Sequence, residues 1–181
     1  PEQQIACSTQ NNILLTACPG SGKTRTLTHR LAYQVLRDPA SKKIKIAITY
    51  TNRAAEEITN RLEGMNIDQS SIWAGTIHQF CMHFIIRPYA MYSKRLCKGY
   101  RIIDDYSKKA YGREIAERLG MHLNYYDDPF QYENVRTEYK RVLKEKKEID
   151  FDAILLISEE LLASCAFIGS NIASVISSIL V

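Results

Sequence analysis

ACPGSGKT, at residues 17–24, is the segment from which the architecture of this chain can be inferred. A short apolar run at residues 13–15 precedes it, and apolar residues at helical spacing follow it over residues 24–36. This pattern predicts a strand, a glycine-rich loop and a helix. Gly20 and Gly22 allow backbone N–H groups to turn towards an anion, and the helix N-terminus adds partial positive charge. The segment therefore predicts a phosphate-binding loop.

The same segment fits the Walker A pattern with alanine in place of its first glycine. Lys23 supplies a mobile positive charge for the terminal phosphates of ATP, and Thr24 supplies a hydroxyl ligand for Mg²⁺. These two residues are the catalytic candidates, with Thr24 as the metal ligand. The loop residues expected to hold the nucleotide are Ala17, Pro19, Gly20, Ser21, Gly22, Lys23, Thr24 and Arg25. Kinases, GTPases, ATPases and helicases share this pattern, so the activity must be inferred from other residues.

Beyond the loop, apolar patterning predicts alternating strands and helices. The predicted strands are residues 44–50, 72–74 and 178–181, and the predicted helices are residues 53–62, 76–92, 106–119, 132–148 and a helix capped by Asp150 or Asp152 that runs to residue 162. Alternation of this kind predicts an α/β fold with a parallel sheet flanked by helices. Since no strand is expected between the helices of residues 106–149, we predict a small all-helical insertion there.

The composition excludes several classes of protein. The 181 residues are 45% hydrophobic and 24% charged, which is ordinary for a globular protein and excludes a disordered chain. Five scattered cysteines without a C-x-x-C spacing argue against a disulfide framework or a zinc ribbon and favour the reducing cytoplasm. The net charge of +4 permits an anionic partner. Residues 161–181 carry no charge but contain too many polar residues for a membrane span, so no membrane partner is expected.

Four further segments occur in a characteristic order around the loop. They are PEQQIA at residues 1–6, TYTNRAAEE at 49–57, GTIHQFC at 75–81 and DFDAIL at 150–155. Together they resemble the N-terminal part of a superfamily 1 DNA helicase of the UvrD/Rep/PcrA type. The resemblance implies a RecA-like P-loop NTPase domain, 1A, begun by residues 1–105. A helical insertion like subdomain 1B would occupy residues 106–149, and residues 150–181 would return to domain 1A.

The resemblance also assigns individual residues. Gln3 stands at the place of the glutamine that reads adenine in this family, and its carboxamide offers the donor and acceptor that adenine requires. Tyr50, where the family more often has phenylalanine, would stack on an unpaired base. The residues implied to contact DNA are Tyr50, Thr51, Asn52, Arg53, Thr76 and His78, with Ile77 replacing the usual phenylalanine. The expected partner is single-stranded DNA or DNA with single-stranded tails.

The function implied by the resemblance is that of an ATP-dependent DNA helicase or translocase that moves 3′ to 5′ in the cytoplasm. The chain is expected to be a fragment that stops before the Walker B acidic pair and lacks the second RecA-like domain. Such a fragment would at most bind ATP and single-stranded DNA without turnover. Two alternatives stay open, a small P-loop phosphotransferase and a non-catalytic nucleotide- or DNA-binding module.

Overall fold

A computed structural model describes residues 2–9, 11–16, 18 and 20–181 of the chain. Contacts between residues divide the described chain into two compact units. The first unit comprises the residues up to Phe80 together with Gly169–Val181, and the second comprises Cys81–Ile168. The candidate residues for nucleotide and DNA binding all belong to the first unit.

The first unit combines helices with a parallel sheet. Its elements are α1 (Glu2–Ser8), α2 (Lys23–Arg37), β1 (Ile44–Thr49), α3 (Asn52–Gly64), β2 (Ile72–Thr76), α4 (Ile77–Phe80) and β5 (Ile176–Leu180). Among the described residues the strand order is β2-β1-β5, and both pairings are parallel. The predicted α/β fold with a parallel sheet flanked by helices is therefore confirmed.

The core of this unit lies between the sheet and two helices. Strand β1 is central, and its apolar residues between the two ends are buried because both neighbours and the helices cover them. Leu31 of α2 and Ile58 and Leu62 of α3 pack in one cluster with Ala47 of β1. These three side chains have at most 1% of their surface exposed. Their burial supplies the hydrophobic free energy that holds α2 and α3 against the sheet.

One contact shows how α2 runs along the sheet. The Ser178 hydroxyl donates to the Gln34 side-chain amide oxygen at 2.8 Å, near the end of α2. Ser178 is in register with Lys45, near the beginning of β1. The C-terminal part of α2 therefore lies at the level of the start of β1. Because α2 is joined to β1 by a short link and packs on it through Leu31 and Ala47, it runs antiparallel to the strand, with its N-terminus directed towards the carboxyl ends. Ligands of open α/β sheets bind at that edge.

The strand predicted at residues 13–15 is not formed. The described residues 11–16 contain neither helix nor strand, and 89% of the surface of Leu14 is exposed. A strand requires a neighbouring strand to pair its backbone N–H and C=O groups. Neither edge of the β2-β1-β5 sheet is paired with these residues. An apolar run alone could not predict this, because it says nothing about the partner.

The second unit is mainly helical. It contains a π-helical segment (Cys81–Ile86), α5 (Arg87–Tyr89), a 3₁₀ turn (Ala90–Tyr92), β3 (Arg101–Ile102), α6 (Asp105–Arg118), a second 3₁₀ turn (Pro129–Gln131), α7 (Glu133–Lys146), β4 (Glu148–Ile149), α8 (Phe151–Ser164) and the beginning of α9 (Ala166–Val175). Helices α6 and α7 pack together through Ile115, Ala116, Val135, Tyr139 and Leu143. The helix predicted for residues 76–92 begins one residue later, at Ile77, because Thr76 ends β2, and it changes type at Cys81, Arg87 and Ala90.

The insertion is not wholly helical. Strands β3 and β4 pair in parallel over two residues each, with Arg101 opposite Glu148. The guanidinium of Arg101 bonds to the Glu148 carboxylate, with Nε to Oε1 at 3.1 Å. This pairing joins two segments far apart in the chain, which local patterning could not predict. The compact unit also begins before residue 106 and ends after residue 149. The match of residues 106–149 to subdomain 1B stays a prediction.

Helix α8 begins at the expected place. Asp150 is its N-cap, and the carboxylate accepts a hydrogen bond from the Ala153 backbone N–H at 3.0 Å. The other carboxylate oxygen accepts from the Tyr139 hydroxyl at 3.0 Å, which ties α7 to the start of α8.

Within the described residues, no helix has the length and apolar character needed to cross a bilayer.

Candidate functional site

The loop before α2 meets α1 at Ser21 and Gly22. Gly22 has a φ of 90°, in the left-handed region that favours glycine. A Cβ at this position would lie 3.3 Å from Nε2 of Gln3. That nitrogen donates a hydrogen bond to the Ser21 carbonyl at 3.0 Å. Gln3 therefore contacts the loop directly, which places the predicted base-reading residue beside the predicted phosphate-binding residues.

Cys18 supplies the carbonyl around which the loop turns. Its oxygen accepts from the Ser21 hydroxyl at 2.7 Å and from the Ser21 backbone N–H at 3.2 Å. The Lys23 ammonium also donates to this oxygen, at 2.8 Å. Ser21 and Lys23 are both exposed, so an incoming anion can reach them. A phosphate that bound Lys23 would exchange a neutral carbonyl acceptor for a charged one, which forms a stronger hydrogen bond.

The remaining loop residues extend into the first turn of α2. Thr24 is half-buried and Arg25 is exposed, at the second and third positions of the helix. The helix N-terminus has Gly22 as its N-cap and no side-chain capping bond, so the cap itself leaves backbone N–H groups of the first turn for a ligand. Ala17 and Pro19, which were also predicted to contact the nucleotide, lie outside the described residues.

Helix α1 is held against α2 by polar contacts. The Arg30 guanidinium donates to the Ala6 carbonyl at 2.5 Å and to the Asn11 carbonyl at 3.3 Å. The Cys7 thiol lies 3.5 Å from the Thr26 carbonyl, and burial raises the pKa of this thiol above its ordinary value. These contacts fix α1 along the first half of α2. As a result Gln3 reaches the loop through a helix that is itself anchored.

The predicted DNA-contacting residues of the second segment surround the start of α3. Tyr50 follows β1, and 98% of its surface is exposed, so its ring is free of the core. Thr51 is the N-cap of α3, and its hydroxyl oxygen accepts from the Ala54 backbone N–H at 3.2 Å. Asn52 and Arg53 are exposed in the first turn. This arrangement presents an aromatic ring, polar groups and a helix N-terminus on one surface.

The third segment lies at the neighbouring strand end. Thr49 and Thr76 are the last residues of β1 and β2, and they are directly paired in register. The Thr49 hydroxyl donates to the Thr51 carbonyl at 2.9 Å and to the Gly75 carbonyl at 3.4 Å. His78 is half-buried one residue beyond Ile77. The residues predicted to contact DNA are therefore brought together at the carboxyl end of two adjacent strands.

Gln79 is a structural residue that the sequence analysis missed. Its side-chain oxygen accepts from the Thr76 backbone N–H at 2.8 Å, and its own N–H donates to the Thr76 hydroxyl at 3.3 Å. This reciprocal pair is a capping box, and the T-x-x-Q spacing of residues 76–79 could have predicted it. A Cβ on Gly75 would lie 2.8 Å from the Gln79 side-chain oxygen and 2.6 Å from the Trp73 ring. A side chain at position 75 would therefore require the Trp73 ring and the Gln79 side chain to move.

The two predicted sets of residues share one edge of the sheet. The N-terminus of α2 lies towards the carboxyl ends of the strands, and α3 begins directly after β1. The ion pairs found among the described residues include neither Arg25 nor Arg53. Both of these exposed cations can therefore contribute to an attractive field for a polyanion. The arrangement can hold a phosphate chain and a second anionic chain on one exposed edge.

Comparisons with known proteins identify the family of the chain. A family model described as the UvrD/REP helicase N-terminal domain matches residues 1–131. An ATP-dependent DNA helicase PcrA from Leuconostoc citreum is 27% identical over 187 residues, covering 87% of this chain and 25% of the relative. The proteins of that name from Staphylococcus aureus and Bacillus subtilis are 38% identical over 87 residues, covering 48% of this chain and 12% of each relative. The chain thus spans a quarter or less of the length of these relatives.

Proposed function

The chain belongs to the UvrD/REP helicase N-terminal domain family, and we propose that it forms the nucleotide-binding part of an ATP-dependent DNA helicase that moves 3′ to 5′. The observation that carries this proposal is the position of the exposed loop of residues 20–23 at the N-terminus of α2, on the same sheet edge as Tyr50. Relatives in the comparison are ATP-dependent DNA helicases, which supports the same activity for the protein that contains this chain.

For the nucleotide, each residue has a distinct role in the proposal. Lys23 binds the terminal phosphates, and backbone N–H groups at the start of α2 bind the phosphate chain. Thr24 would hold Mg²⁺ through its hydroxyl, and the ion would supply positive charge to the phosphates. Gln3 contacts the adenine edge with the part of its carboxamide that is not bonded to Ser21. The fit is supported by Gly22, where a side chain would press against Gln3.

For DNA, Tyr50 stacks on an unpaired base, and the start of α3 binds the backbone. The exposure of the Tyr50 ring supports this role, since a stacking platform must offer an open face. Arg53 and the Asn52 side chain lie beside it in the first turn of α3. Thr76 and His78 extend the contact along the neighbouring strand end. None of these contacts reads base identity, so binding is expected to be independent of sequence.

Turnover requires groups that this proposal places outside the chain. A carboxylate for Mg²⁺ and an arginine for the transition state would come from the same polypeptide, the latter from a second RecA-like domain. The 181-residue chain is proposed to bind ATP and single-stranded DNA without hydrolysis, with residues 106–149 acting as a 1B-like insertion. We place the activity in the cytoplasm, where ATP and DNA are both available to a bacterial-type helicase.

The decisive experiment measures directional motion. The complete polypeptide, containing this chain and a second RecA-like domain, is given oligonucleotides blocked by streptavidin at one end. We expect ATP-dependent displacement of streptavidin from the 5′ end, which a 3′-to-5′ motor reaches, and no displacement from the 3′ end. Displacement from the 3′ end alone would contradict the polarity. Transfer of labelled phosphate to a small acceptor by the chain alone would instead favour a phosphotransferase.

A further inference from the structure

The second unit carries an exposed group of aromatic rings that the proposed function does not use. Tyr92 and Phe167 contact edge to face with centroids 5.0 Å apart, and Tyr89 lies 6.4 Å from Tyr92 and 6.0 Å from Phe167. Tyr92 and Phe167 nevertheless expose 52% and 42% of their surfaces. The three rings orient one another while leaving large apolar faces open to solvent, which is uncommon unless the faces bind something.

Basic residues lie close to two of these rings along the chain. Arg87 is exposed in α5, two residues before Tyr89, and Lys94 and Arg95 are exposed in the turn that follows Tyr92. None of the ion pairs between described residues includes any of the three. Residues 81–103, which supply two of the rings, contain no Asp or Glu, and the nearest acidic residues that precede Phe167 in the chain are Glu159 and Glu160 on α8. The uncompensated charge indicates an anionic partner.

We propose that this aromatic–basic patch, made by Arg87, Tyr89, Tyr92, Lys94, Arg95 and Phe167, is a second binding surface for single-stranded nucleic acid. It lies in a different unit from the strand-end residues assigned to DNA above. Aromatic faces stack on unpaired bases regardless of base identity, whereas bases within a duplex already stack on one another. Cations within two turns of the rings would neutralise the phosphates of the same strand.

The size of the patch suits a short stretch of a strand. Residues 87–95 form a short segment of the chain, so the patch would contact a few nucleotides of a strand. An acidic peptide also carries negative charge, but it offers no flat rings for the aromatic faces. The combination of charge and open rings therefore favours nucleic acid.

The test measures binding of fluorescein-labelled oligo-dT to the 181-residue chain by anisotropy. The ring variant is Tyr92→Ala with Phe167→Ala, and the control is Tyr106→Ala, which removes a tyrosine that is 82% exposed in the same unit. We expect the ring variant to weaken binding by about fivefold or more, the lower range for loss of base stacking. Binding equal to that of the Tyr106→Ala variant would overturn the proposal.

A second variant tests the charges without touching the rings. Lys94→Gln with Arg95→Gln should reduce the slope of log affinity against log salt concentration by about 1.4, at about 0.7 per phosphate contact on a single strand. An unchanged slope would contradict the assignment. Oligo-glutamate that competes with oligo-dT equally well on the wild-type chain and on the ring variant would identify a surface for acidic peptides and would also overturn it.

The same measurements are repeated in a Tyr50→Ala background. Loss of affinity on removing the rings in both backgrounds is the expected result. If Tyr50→Ala alone has no effect while the ring variant does, the DNA contact proposed for the first unit fails and the patch stands. Photocrosslinking with an iodouracil-containing strand gives an independent readout, with Tyr92 or Phe167 as the expected adducts. Adducts confined to other residues would contradict the patch.

Discussion

The side-chain nitrogen of Gln3 donates to the Ser21 carbonyl at 3.0 Å and thereby joins α1 to the loop that begins α2. The same nitrogen lies 3.3 Å from the position that a Cβ of Gly22 would occupy. The residue expected to read the base thus also supports the loop expected to hold the phosphates. A substitution of Gln3 should therefore also weaken the binding of phosphate ligands that contain no base.

For Gln3→Ala, we predict weaker binding of inorganic tripolyphosphate as well as ATP. The loss of one hydrogen bond is worth about 0.5–1.5 kcal/mol, or roughly two- to tenfold in affinity. Preference for ATP over GTP should also disappear. Calorimetric titration of the three ligands checks both effects, with Gln4→Ala as the control because Gln4 is an exposed neighbour on α1. Unchanged tripolyphosphate affinity would restrict Gln3 to base recognition.

For Lys23→Ala, we predict loss of ATP turnover in the complete polypeptide while single-stranded DNA binding persists. The ammonium contributes a charged hydrogen bond worth about 1.5–3 kcal/mol, so nucleotide affinity should fall roughly ten- to hundredfold. Lys42→Ala is the matched control, since Lys42 is exposed outside the loop. Turnover is followed by phosphate release, and retained turnover would disprove the role given to Lys23.

For Tyr50→Ala, we predict weaker binding of single-stranded DNA with no change in thermal stability. The ring is almost fully exposed, so its removal leaves the core intact. A stacked base is worth about 1–3 kcal/mol, which corresponds to at least a fivefold loss in affinity. Tyr50→Phe should bind like the wild type because it keeps the aromatic face. Anisotropy with oligo-dT separates these outcomes, and equal losses in both variants would argue against stacking.

For Arg101→Ala, we predict a less stable second unit. The Glu148 side chain is fully buried, its Oε2 has no hydrogen-bond partner, and Oε1 accepts from Arg101. Removing Arg101 would leave this carboxylate without its countercharge, at a cost of about 1–3 kcal/mol. Urea unfolding monitored by circular dichroism checks this. Adding Glu148→Leu should recover stability, and a double variant as unstable as the single one would show that the charge is not responsible.

Asp104 is the N-cap of α6, and it should make the stability of the folded protein depend on pH in the acidic range. The Ser107 backbone N–H donates to Asp104 at 2.8 Å and lowers the pKa of that carboxyl below its ordinary value of 3.8. Because the pKa is depressed in the folded state, the stabilisation is complete above 3.8 and is lost as pH falls through the lowered value. Asp104→Asn should remove this part of the acid dependence. Thermal melts across acidic pH test it, and identical profiles would contradict the cap's contribution.

Local patterns predicted local structure well. The helix from Asn52 and the strand from Ile44 follow directly from periodicity, and Asp150 caps its helix as the sequence suggested. The predictions failed where structure depends on a distant partner. Residues 13–15 are not in a strand because no edge is paired with them, and Glu148 pairs with Arg101 across the whole insertion. Spacing along the chain carries no information about either event.

The candidate site shows the same difference between features that depend on local sequence and features that depend on the folded chain. Gly20, Gly22 and Lys23 could be selected from the sequence because phosphate binding demands those residue types at that spacing, and their role in binding stays a prediction. The role of the Cys18 carbonyl was not, since every residue has a carbonyl and only the folded turn selects one. The capping role of Thr76 was overlooked although its signal, glutamine three residues later, was present.

The Thr49 hydroxyl bonds to carbonyls on both sides of the strand-end surface, at Thr51 and at Gly75. The single hydroxyl proton is shared between these two acceptors, so the residue before α3 is tied to the ends of both β1 and β2. A pulling force on a polymer gripped there would be transmitted into the sheet rather than absorbed by bending of a loop. A stiff contact of this kind allows a small relative movement of two domains to be converted into translocation along a polymer strand.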